Sequence, residues 1–262
     1  MLFAFCLLSK LRNKMNKLPA ITFSFWVMKI CATTLGETAG DLLSMTLNIG
    51  YAVSSVILLS FFLGTLIIQL FSKKYHPVIY WAVILSTSTA GTTVSDFMDR
   101  TMKLGYANGA MILVALLISI LVIWKVTEKS LSVTNIKSLR GELFYWTAIL
   151  FSNTLGTALG DFLADNSGLG FSGGAILIGS LLLVIVLAYR FTKISHVILF
   201  WLAFVLTRPF GATFGDLLTK THEKGGLNFG TMGSSLILFI ILATGVMISI
   251  VKLHLKEKNK IV

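Results

Sequence analysis

Two kinds of apolar segment alternate along this chain. Four of them are uninterrupted runs without a charged residue, at 51–71, 105–124, 170–189 and 229–251. Each has about 20 residues or more, which as a helix at about 1.5 Å per residue crosses about 30 Å of hydrocarbon. The other four become polar towards their ends and span 19–40, 77–95, 143–160 and 195–215. The pattern predicts eight helices in four pairs.

A repeated motif marks the segments that end in polar residues. Each has a Gly five residues before an Asp, and a Trp, preceded by another aromatic residue, fifteen residues before the same Asp. Four matches at one spacing indicate an internal repeat. The four sets are Trp26, Gly36 and Asp41; Trp81, Gly91 and Asp96; Trp146, Gly156 and Asp161; and Trp201, Gly211 and Asp216. Repeats one and two map onto repeats three and four with an offset of 120 residues, so the chain consists of two similar halves.

The composition is that of a membrane protein. Of the 262 residues, 55% are hydrophobic and 13% are charged, and the mean hydropathy is +0.86; these values exclude a soluble domain. Long apolar runs and only three prolines favour helices over a membrane β-barrel. The net charge of +11 is explained by topology and needs no nucleic-acid partner. The sequence contains no enzyme motif and no cofactor motif, so we expect neither catalysis nor a cofactor.

The basic residues predict how the helices are oriented. Of the 22 lysines and arginines, Arg100, Lys103, Lys220 and Lys224 lie beyond the Asp ends of the segments, Lys29 and Arg208 lie within them, and the other sixteen lie on the Trp side. The positive-inside rule then places the Trp ends and both termini in the cytoplasm. All four repeats enter the membrane in the same direction, as parallel units that we expect to close into a ring.

The two ends of this ring have different expected properties. Eight of the eleven acids lie at or near the Asp end, which we expect to form an electronegative outer mouth. The four Trp residues are expected to form an interfacial belt at the cytoplasmic surface.

The repeats also set the expected domain boundaries. The first half covers 15–126, a cytoplasmic linker covers 127–141, the second half covers 142–255, and a basic tail covers 256–262. Residues 1–14 hold a short apolar run followed by basic residues, which is too short for a span and in the wrong order for a signal peptide. With Met15 as a candidate start, we expect 1–14 to be a non-native or disordered extension.

One face of each motif-bearing helix is polar. Positions 4, 7, 8 and 12 residues before the Asp lie on one side of an α-helix, and three of these four levels are mainly polar. We expect this face to line the interior of the bundle. Small-residue pairs such as Gly36 and Gly40 are expected to let neighbouring helices approach closely. The neutral oxygen-bearing candidates are Thr33, Thr34, Ser88, Thr89, Asn153 and Thr154.

Three charged residues lie among apolar neighbours in these segments. They are Glu37, Lys29 and Arg208, and a charge at such a position is costly unless it is paired or hydrated. Lys29 lies two turns from Glu37 and cannot pair with it, whereas Arg208 can reach Glu37 or an Asp of a neighbouring repeat. We hypothesise a binding site or pathway between repeats one and four, and a purely structural salt bridge explains the same charges equally well.

The motif also resembles a known family. The string Trp26-Val-Met-Lys-Ile-Cys-Ala-Thr-Thr-Leu-Gly-Glu-Thr-Ala-Gly-Asp41, with its three counterparts, resembles bacterial integral membrane proteins built from four tandem two-helix repeats with a characteristic Trp, of unknown function. The resemblance covers about residues 15–255. It implies the architecture and a bacterial inner membrane, and it implies nothing about a substrate.

The sequence thus predicts an all-α membrane protein with eight transmembrane helices in four parallel two-helix repeats. Our function hypothesis is transport of a small cation, either a divalent metal or a proton-coupled substrate. Hard cations prefer oxygen ligands, and the expected metal site is the set Glu37, Asp41, Asp96, Asp161 and Asp216. Deeper ligands for the ion are expected from Thr34, Thr89, Thr154 and Asn153. The expected partners are membrane lipid and a small ion or solute; the sequence leaves the oligomeric state open and is compatible with a monomer.

Two alternatives remain open at this point. One is a membrane scaffold whose aspartates merely end helices. The other is a transporter of a small organic anion that uses Lys29 and Arg208. A polar cavity open to water among the motif-bearing helices favours a transporter, whereas a dry core of small residues favours a scaffold.

Overall fold

The computed structural model describes residues 17–133, 136 and 138–258. Eight long α-helices follow one another in this part of the chain: α1 Phe23–Asp41, α2 Tyr51–Phe71, α3 Pro77–Asp96, α4 Tyr106–Glu128, α5 Leu139–Asp161, α6 Gly170–Phe191, α7 His196–Thr219 and α8 Thr231–Lys258. We call α1, α3, α5 and α7, which carry the motif, the signature helices, and the other four the flanking helices. The predicted order of eight helices in four pairs is confirmed. The predicted extension 1–14 lies outside the described residues.

The turn after the motif is built in the same way in the first three repeats. The α-helix ends at the Asp, and a five-residue π-helical turn follows: Leu42–Thr46, Phe97–Thr101 or Phe162–Asn166. Nine residues after the Asp stands a Gly with positive φ, 83° at Gly50 and 74° at Gly105, a conformation that Gly adopts without a steric cost. The chain can therefore turn directly into the flanking helix. In the fourth repeat, α7 instead continues past the motif to Thr219.

The signature helices form the inner ring of the bundle. Helices α1 and α5 each pack against α3 and α7, while each flanking helix packs against the signature helix of the next repeat. Thus α2 lies on α3, α4 on α5, α6 on α7, and α8 returns to α1. Each repeat buries its neighbour's signature helix, and the last contact closes the ring. The expected ring, with the polar helices inside, is confirmed.

Glycines of the motif set the distance between neighbouring signature helices. A Cβ atom at Gly36 would lie 2.2 Å from Ser88 Oγ, and one at Gly211 would lie 2.6 Å from Thr33 Oγ1. Both contacts join a repeat to the next one around the ring. The expected packing role of these glycines is confirmed, because no larger side chain fits there without displacing the adjacent helix.

The Trp ends of the signature helices meet in a ring of aromatic contacts. Each Trp packs against the aromatic residue that precedes the Trp of the previous repeat. The ring centroids of these pairs are 5.7 Å apart for Trp81 and Phe25, 5.7 Å for Trp146 and Tyr80, 6.5 Å for Trp201 and Tyr145, and 5.7 Å for Trp26 and Phe200. The expected interfacial belt is wrong for Trp81, Trp146 and Trp201, which are buried. These side chains stabilise contacts between repeats.

Five of the helices are long and apolar enough to cross a membrane. They are the four flanking helices and α7. Helices α1, α3 and α5 do not meet the same measure of apolarity because Ser, Thr and charged residues occupy their inner faces. Large apolar side chains of the flanking helices, such as Val56 and Phe61 of α2, are exposed on the outside of the ring.

Candidate functional site

At its Asp end the ring holds a layer of buried carboxylates bound by two basic side chains. Asp41, Asp96, Asp161 and Asp216 are only 2–4% exposed. Arg100 donates to Asp96 Oδ1 at 2.8 Å and to Asp161 Oδ2 at 3.2 Å. We call these three residues the Arg100 clamp, which joins repeats two and three.

The second basic side chain, Lys220, joins repeats four and one. Its Nζ atom lies 2.6 Å from Asp41 Oδ2 and 3.0 Å from Asp216 Oδ1. We call these three residues the Lys220 clamp. Burial alone would lower the pKa of Lys220, but the carboxylates of Asp216 and Asp41 raise it above its ordinary value. Lys220 is therefore a firmly protonated cation.

The two clamps show how the four motif aspartates are arranged at the end that was expected to form an electronegative mouth. Arg100 and Lys220 each stand four residues after a motif Asp, on the same helical face, and they are 120 residues apart. The carboxylates are covered and paired and do not face solvent. They also do not cap the following turns, since Asp41, Asp96 and Asp161 make no side-chain cap hydrogen bond at the start of their π-helical turns.

A third carboxylate reaches the Lys220 clamp. One carboxylate oxygen each from Glu37, Asp41 and Asp216 lies within 4.8 Å of the other two, and all three residues are buried. The structure therefore divides the five predicted acids into a group of three, Glu37 with the two aspartates that bind Lys220, and a pair of aspartates that bind Arg100. Carboxylate oxygens at such short distances are the ligand type that hard cations prefer.

Below this layer, a buried ion pair lies at the centre of the ring. Arg208 Nη1 is 2.9 Å from Glu37 Oε2, and their side chains are 0% and 3% exposed. Thr92 and Thr157 stand at the same motif position as Glu37 and donate to the same oxygen at 3.3 and 3.2 Å. Of the two partners predicted for Arg208, Glu37 or an Asp of a neighbouring repeat, the structure shows Glu37.

The guanidinium of Arg208 contacts all three other repeats. Nη1 donates to the carbonyl of Thr33 at 3.2 Å, and Nη2 donates to the carbonyl of Ser88 at 3.3 Å. Nη2 also donates to Thr157 Oγ1 at 2.8 Å and to Thr92 Oγ1. One long side chain from repeat four thus fills the centre of the ring at this level.

Lys29 lies one level deeper and has a different environment. It is fully buried, with its Nζ 3.5 Å from Asn153 Oδ1 and 4.0 Å from the centroid of the Phe204 ring. Asn153 in turn donates from Nδ2 to Thr87 Oγ1 at 2.9 Å. The structure, over the ranges it describes, places no carboxylate within 4.0 Å of Nζ. An amide oxygen and an aromatic face are therefore the two polar contacts found for this amine.

The sequence of these four structural units matches one family four times. The matching family model is described as a repeat of unknown function, DUF347, and it covers residues 24–75, 79–130, 144–195 and 199–252. The chain belongs to the DUF347 family. This confirms the family that the Trp-to-Asp motif predicted, and each match coincides with one helix pair. Neither the curated proteins nor the solved structures contain a match to the chain.

The remaining predicted residues of the DUF347 repeats have a local role. The hydroxyls of Thr34, Thr89 and Thr154 donate to carbonyls of their own helices, at Ile30, Ser86 and Leu150. They supply no hydrogen bond to the network around Glu37 and Arg208. At this level the threonine hydroxyl of each of these repeats finds its hydrogen-bond acceptor in its own helix, as Ser and Thr hydroxyls often do.

Four residues of the network were absent from the predicted site. They are Thr92, Thr157, Arg100 and Lys220, and two signals in the sequence indicate them. Thr92 and Thr157 occupy the motif position of Glu37, four residues before the Asp. Arg100 and Lys220 share the 120-residue offset of the two halves. Comparing the four DUF347 repeats position by position is therefore the way to find them.

Proposed function

We propose that this DUF347 protein is an eight-span transporter of a small cation, and that the cation binds at the Lys220 clamp. The flanking helices and α7 have the length and apolarity of membrane spans. The polar faces of α1, α3 and α5 point into the ring, where protein and not lipid surrounds them, so these helices can also cross. The positive-inside rule supports a cytoplasmic Trp end and cytoplasmic termini, and the family resemblance supports a bacterial inner membrane.

The observation that carries this proposal is the grouping of three buried carboxylates, two of which bind the ammonium of Lys220. The whole network contains five carboxylates, Glu37, Asp41, Asp96, Asp161 and Asp216, and three paired bases, Arg100, Lys220 and Arg208. Five negative charges against three positive charges leave the network two positive charges short. A divalent cation or two protons would balance it.

Lys220 has the properties of a tethered occupant of the cation site. Its side chain is 21% exposed, whereas its two partners are 3% and 6% exposed, so it can leave the site towards solvent. An ammonium is a compact point charge without the fixed two-pronged geometry of a guanidinium. In this mechanism the incoming cation displaces Lys220 and takes carboxylate oxygens from Glu37, Asp41 and Asp216.

Arg208 holds Glu37 in place for this exchange. It donates to Glu37 Oε2, and the hydroxyls of Thr92 and Thr157 donate to the same oxygen. Glu37 therefore presents its charge to the clamp with little freedom to rotate. In this mechanism Arg208 is a positioning residue, and the closed arrangement is the resting state between outward and inward opening.

Binding measurements on the purified protein test the proposal. Thermal shift and isothermal titration against Mn²⁺, Mg²⁺, Ca²⁺ and Na⁺ should give saturable stabilisation by one of these ions. Asp41→Asn and Glu37→Gln should abolish it, whereas Asp161→Asn, which alters the Arg100 clamp, should retain it. Uptake of that ion into liposomes should follow the same order. Absence of any ion response at both pH 6 and pH 8 would contradict the proposal.

The scaffold alternative is favoured by one observation. The carboxylates are 2–4% exposed and Arg208 and Lys29 are 0% exposed, so the polar centre is closed in this conformation and not open to water. A scaffold predicts that no tested ion stabilises the protein and that liposomes show no flux. Small carboxylates that stabilise the wild type but not Lys29→Met would instead favour the organic-anion alternative, since Lys29 has no acidic partner among the described residues.

A further inference from the structure

Four equivalent aromatic residues surround the axis of the ring at its Trp end. Phe25, Tyr80, Tyr145 and Phe200 line one small cavity of about 10 Å³, which is room for one water molecule. The hydroxyls of Tyr80 and Tyr145 are hydrogen-bonded at 2.9 Å. Because each of these residues comes from a different repeat and holds the same motif position, the cavity lies on the axis. A route for an ion along the axis of the ring must therefore pass through this cavity.

Two chain segments from outside the helices complete the wall of this cavity. Leu18, Pro19 and Ile21 come from the segment before α1, and Val133 comes from the linker between α4 and α5. Leu18 and Val133 are only 8% and 7% exposed. The linker is fixed by a hydrogen bond from Trp201 Nε1 to the carbonyl of Leu131 at 3.1 Å. The segment before α1 has a separate attachment.

Lys17 attaches that segment to the opposite side of the ring. Its Nζ donates to Glu142 Oε2 at 2.8 Å and to the carbonyl of Leu70 at 2.9 Å. Glu142 lies in the first turn of α5 and is 6% exposed, next to the buried side chains of Gln69 and Trp146. The segment precedes repeat one, whose Leu70 carbonyl also accepts from Lys17, and its ion pair is with repeat three, so it lies across the opening.

We propose that residues 17–21 form a strap that closes the Trp end of the axis, and that the ion pair between Lys17 and Glu142 is its latch. The apolar residues of the strap cover the aromatic opening, and the latch is a single ion pair with a partly exposed lysine, 24% against 8% for its partner. Such a contact can break without unfolding α5. The role of the strap in controlling passage rests on the proposed transport function, whereas its position does not.

Cysteine labelling tests the latch without any transport measurement. In a Cys6→Ser, Cys31→Ser background, Leu18→Cys should react slowly with a water-soluble maleimide while the strap is closed. Adding Glu142→Gln or Lys17→Met should each increase the reaction rate at least tenfold. Lys17→Arg, which retains the ion pair, and Glu128→Gln, which alters another acid near the linker, should leave the rate within twofold of the closed value.

The two latch variants remove the ion pair from opposite sides, so a folding defect in one does not decide the result. Size-exclusion profiles and unfolding temperatures identify such a defect. Equal labelling rates in the closed protein and in both latch variants would overturn the strap. Faster labelling in a protein that binds no cation would retain the strap and overturn only the proposed function.

Discussion

The Arg100 and Lys220 clamps have the same construction and different surroundings. In both, a base four residues after a motif Asp also reaches the Asp of an adjacent repeat. Arg100 additionally packs over the ring of Tyr106, with 5.4 Å between Cζ and the ring centroid, and Tyr106 donates to Asp165. Lys220 has no such ring partner among the described residues, but its clamp has the third carboxylate of Glu37.

This difference shows how two similar halves can take different roles. A guanidinium grips two carboxylates with fixed geometry and keeps its charge, which suits a permanent link between repeats. An ammonium with three carboxylates nearby suits exchange with another cation. We therefore expect substitutions near Lys220 to change cation binding, and the corresponding substitutions near Arg100 to change mainly stability.

The largest expected effect is a loss of stability when the positive charge of Arg208, beneath the Lys220 clamp, is removed. Arg208→Met leaves Glu37 buried without its partner, and breaking a buried pair in this way costs about 3–5 kcal/mol. Chemical unfolding in detergent measures the loss. Glu37→Gln combined with Arg208→Met should recover much of it, because no buried charge then remains unpaired. If Arg208→Met alone is as stable as the wild type, Glu37 has another partner. The proposed link between the Arg208–Glu37 pair and the Lys220 clamp would then be wrong.

A smaller loss of unfolding free energy is expected when an added methyl group takes the space next to the Arg208 side chain. A Cβ atom at Gly156 would lie 2.3 Å from Arg208 Cγ, so Gly156→Ala must displace either the stem of Arg208 or the adjacent helix. Overpacking of this kind costs about 1–3 kcal/mol. The matched control is Gly64→Ala in α2, where an added Cβ meets nothing within 4 Å. If both variants have the same unfolding free energy, the close approach of α5 and α7 does not limit stability.

Replacing Lys220 by Arg and Arg100 by Lys tests directly whether the two clamps differ in cation binding. Lys220→Arg should weaken cation binding about tenfold, equivalent to about 1.4 kcal/mol, since the guanidinium holds both carboxylates and is displaced less easily. Arg100→Lys should leave the affinity within twofold, because in the described part of the chain no third carboxylate oxygen lies as close to Asp96 and Asp161 as Glu37 lies to Asp41 and Asp216. Isothermal titration with the stabilising ion measures both. Equal effects of the two exchanges would mean that the clamps are functionally equivalent.

The fold was predictable because its determinants are local and repeated. Apolar runs defined the helices, and spacing such as that from Trp26 to Asp41 identified the repeat and its parallel orientation. The GxxxG pairs indicated which faces meet. The Trp belt was wrong because an aromatic residue at a helix end suits both a lipid interface and a contact between repeats. Only the ring geometry, which sets Trp81 against Phe25, separates these two outcomes.

The site was predictable only in part. The pair of Arg208 and Glu37 was one of two predicted options, because a charge in apolar sequence needs a partner and both Glu37 and an Asp of a neighbouring repeat were within reach. The clamps were not, because a base four residues after an acid also describes an ordinary exposed helix pair. What makes Lys220 part of a site is Asp41, 179 residues away, and that neighbour exists only after the ring closes between repeats four and one.

The smallest effect is expected at Asp99, an acid beside the Arg100 clamp that has no acidic counterpart beside the Lys220 clamp. Asp99 lies in the turn beside Arg100, whereas the equivalent position beside Lys220 is Thr219. Ser95 donates to Asp99 Oδ2 at 3.3 Å, and Oδ1 has no hydrogen-bond partner among the described residues. Burial raises the pKa of Asp99 from the ordinary 3.8 to about 6, although Ser95 and Arg100 oppose the shift.

The sign of the pH dependence follows from this raised pKa. The folded state holds the proton of Asp99 more tightly than the unfolded chain, so its contribution to stability is present below about pH 4 and is lost as the pH rises through about 6. Asp99→Asn should remove this loss, which solvent screening in this turn reduces to on the order of 1 kcal/mol, and unfolding measured across this range should show it as a flatter profile. Glu223→Gln, at an exposed acid on the same end, should retain the wild-type profile. An unchanged profile in Asp99→Asn would mean that water reaches Oδ1, and the Arg100 clamp would then be as open to exchange as the Lys220 clamp.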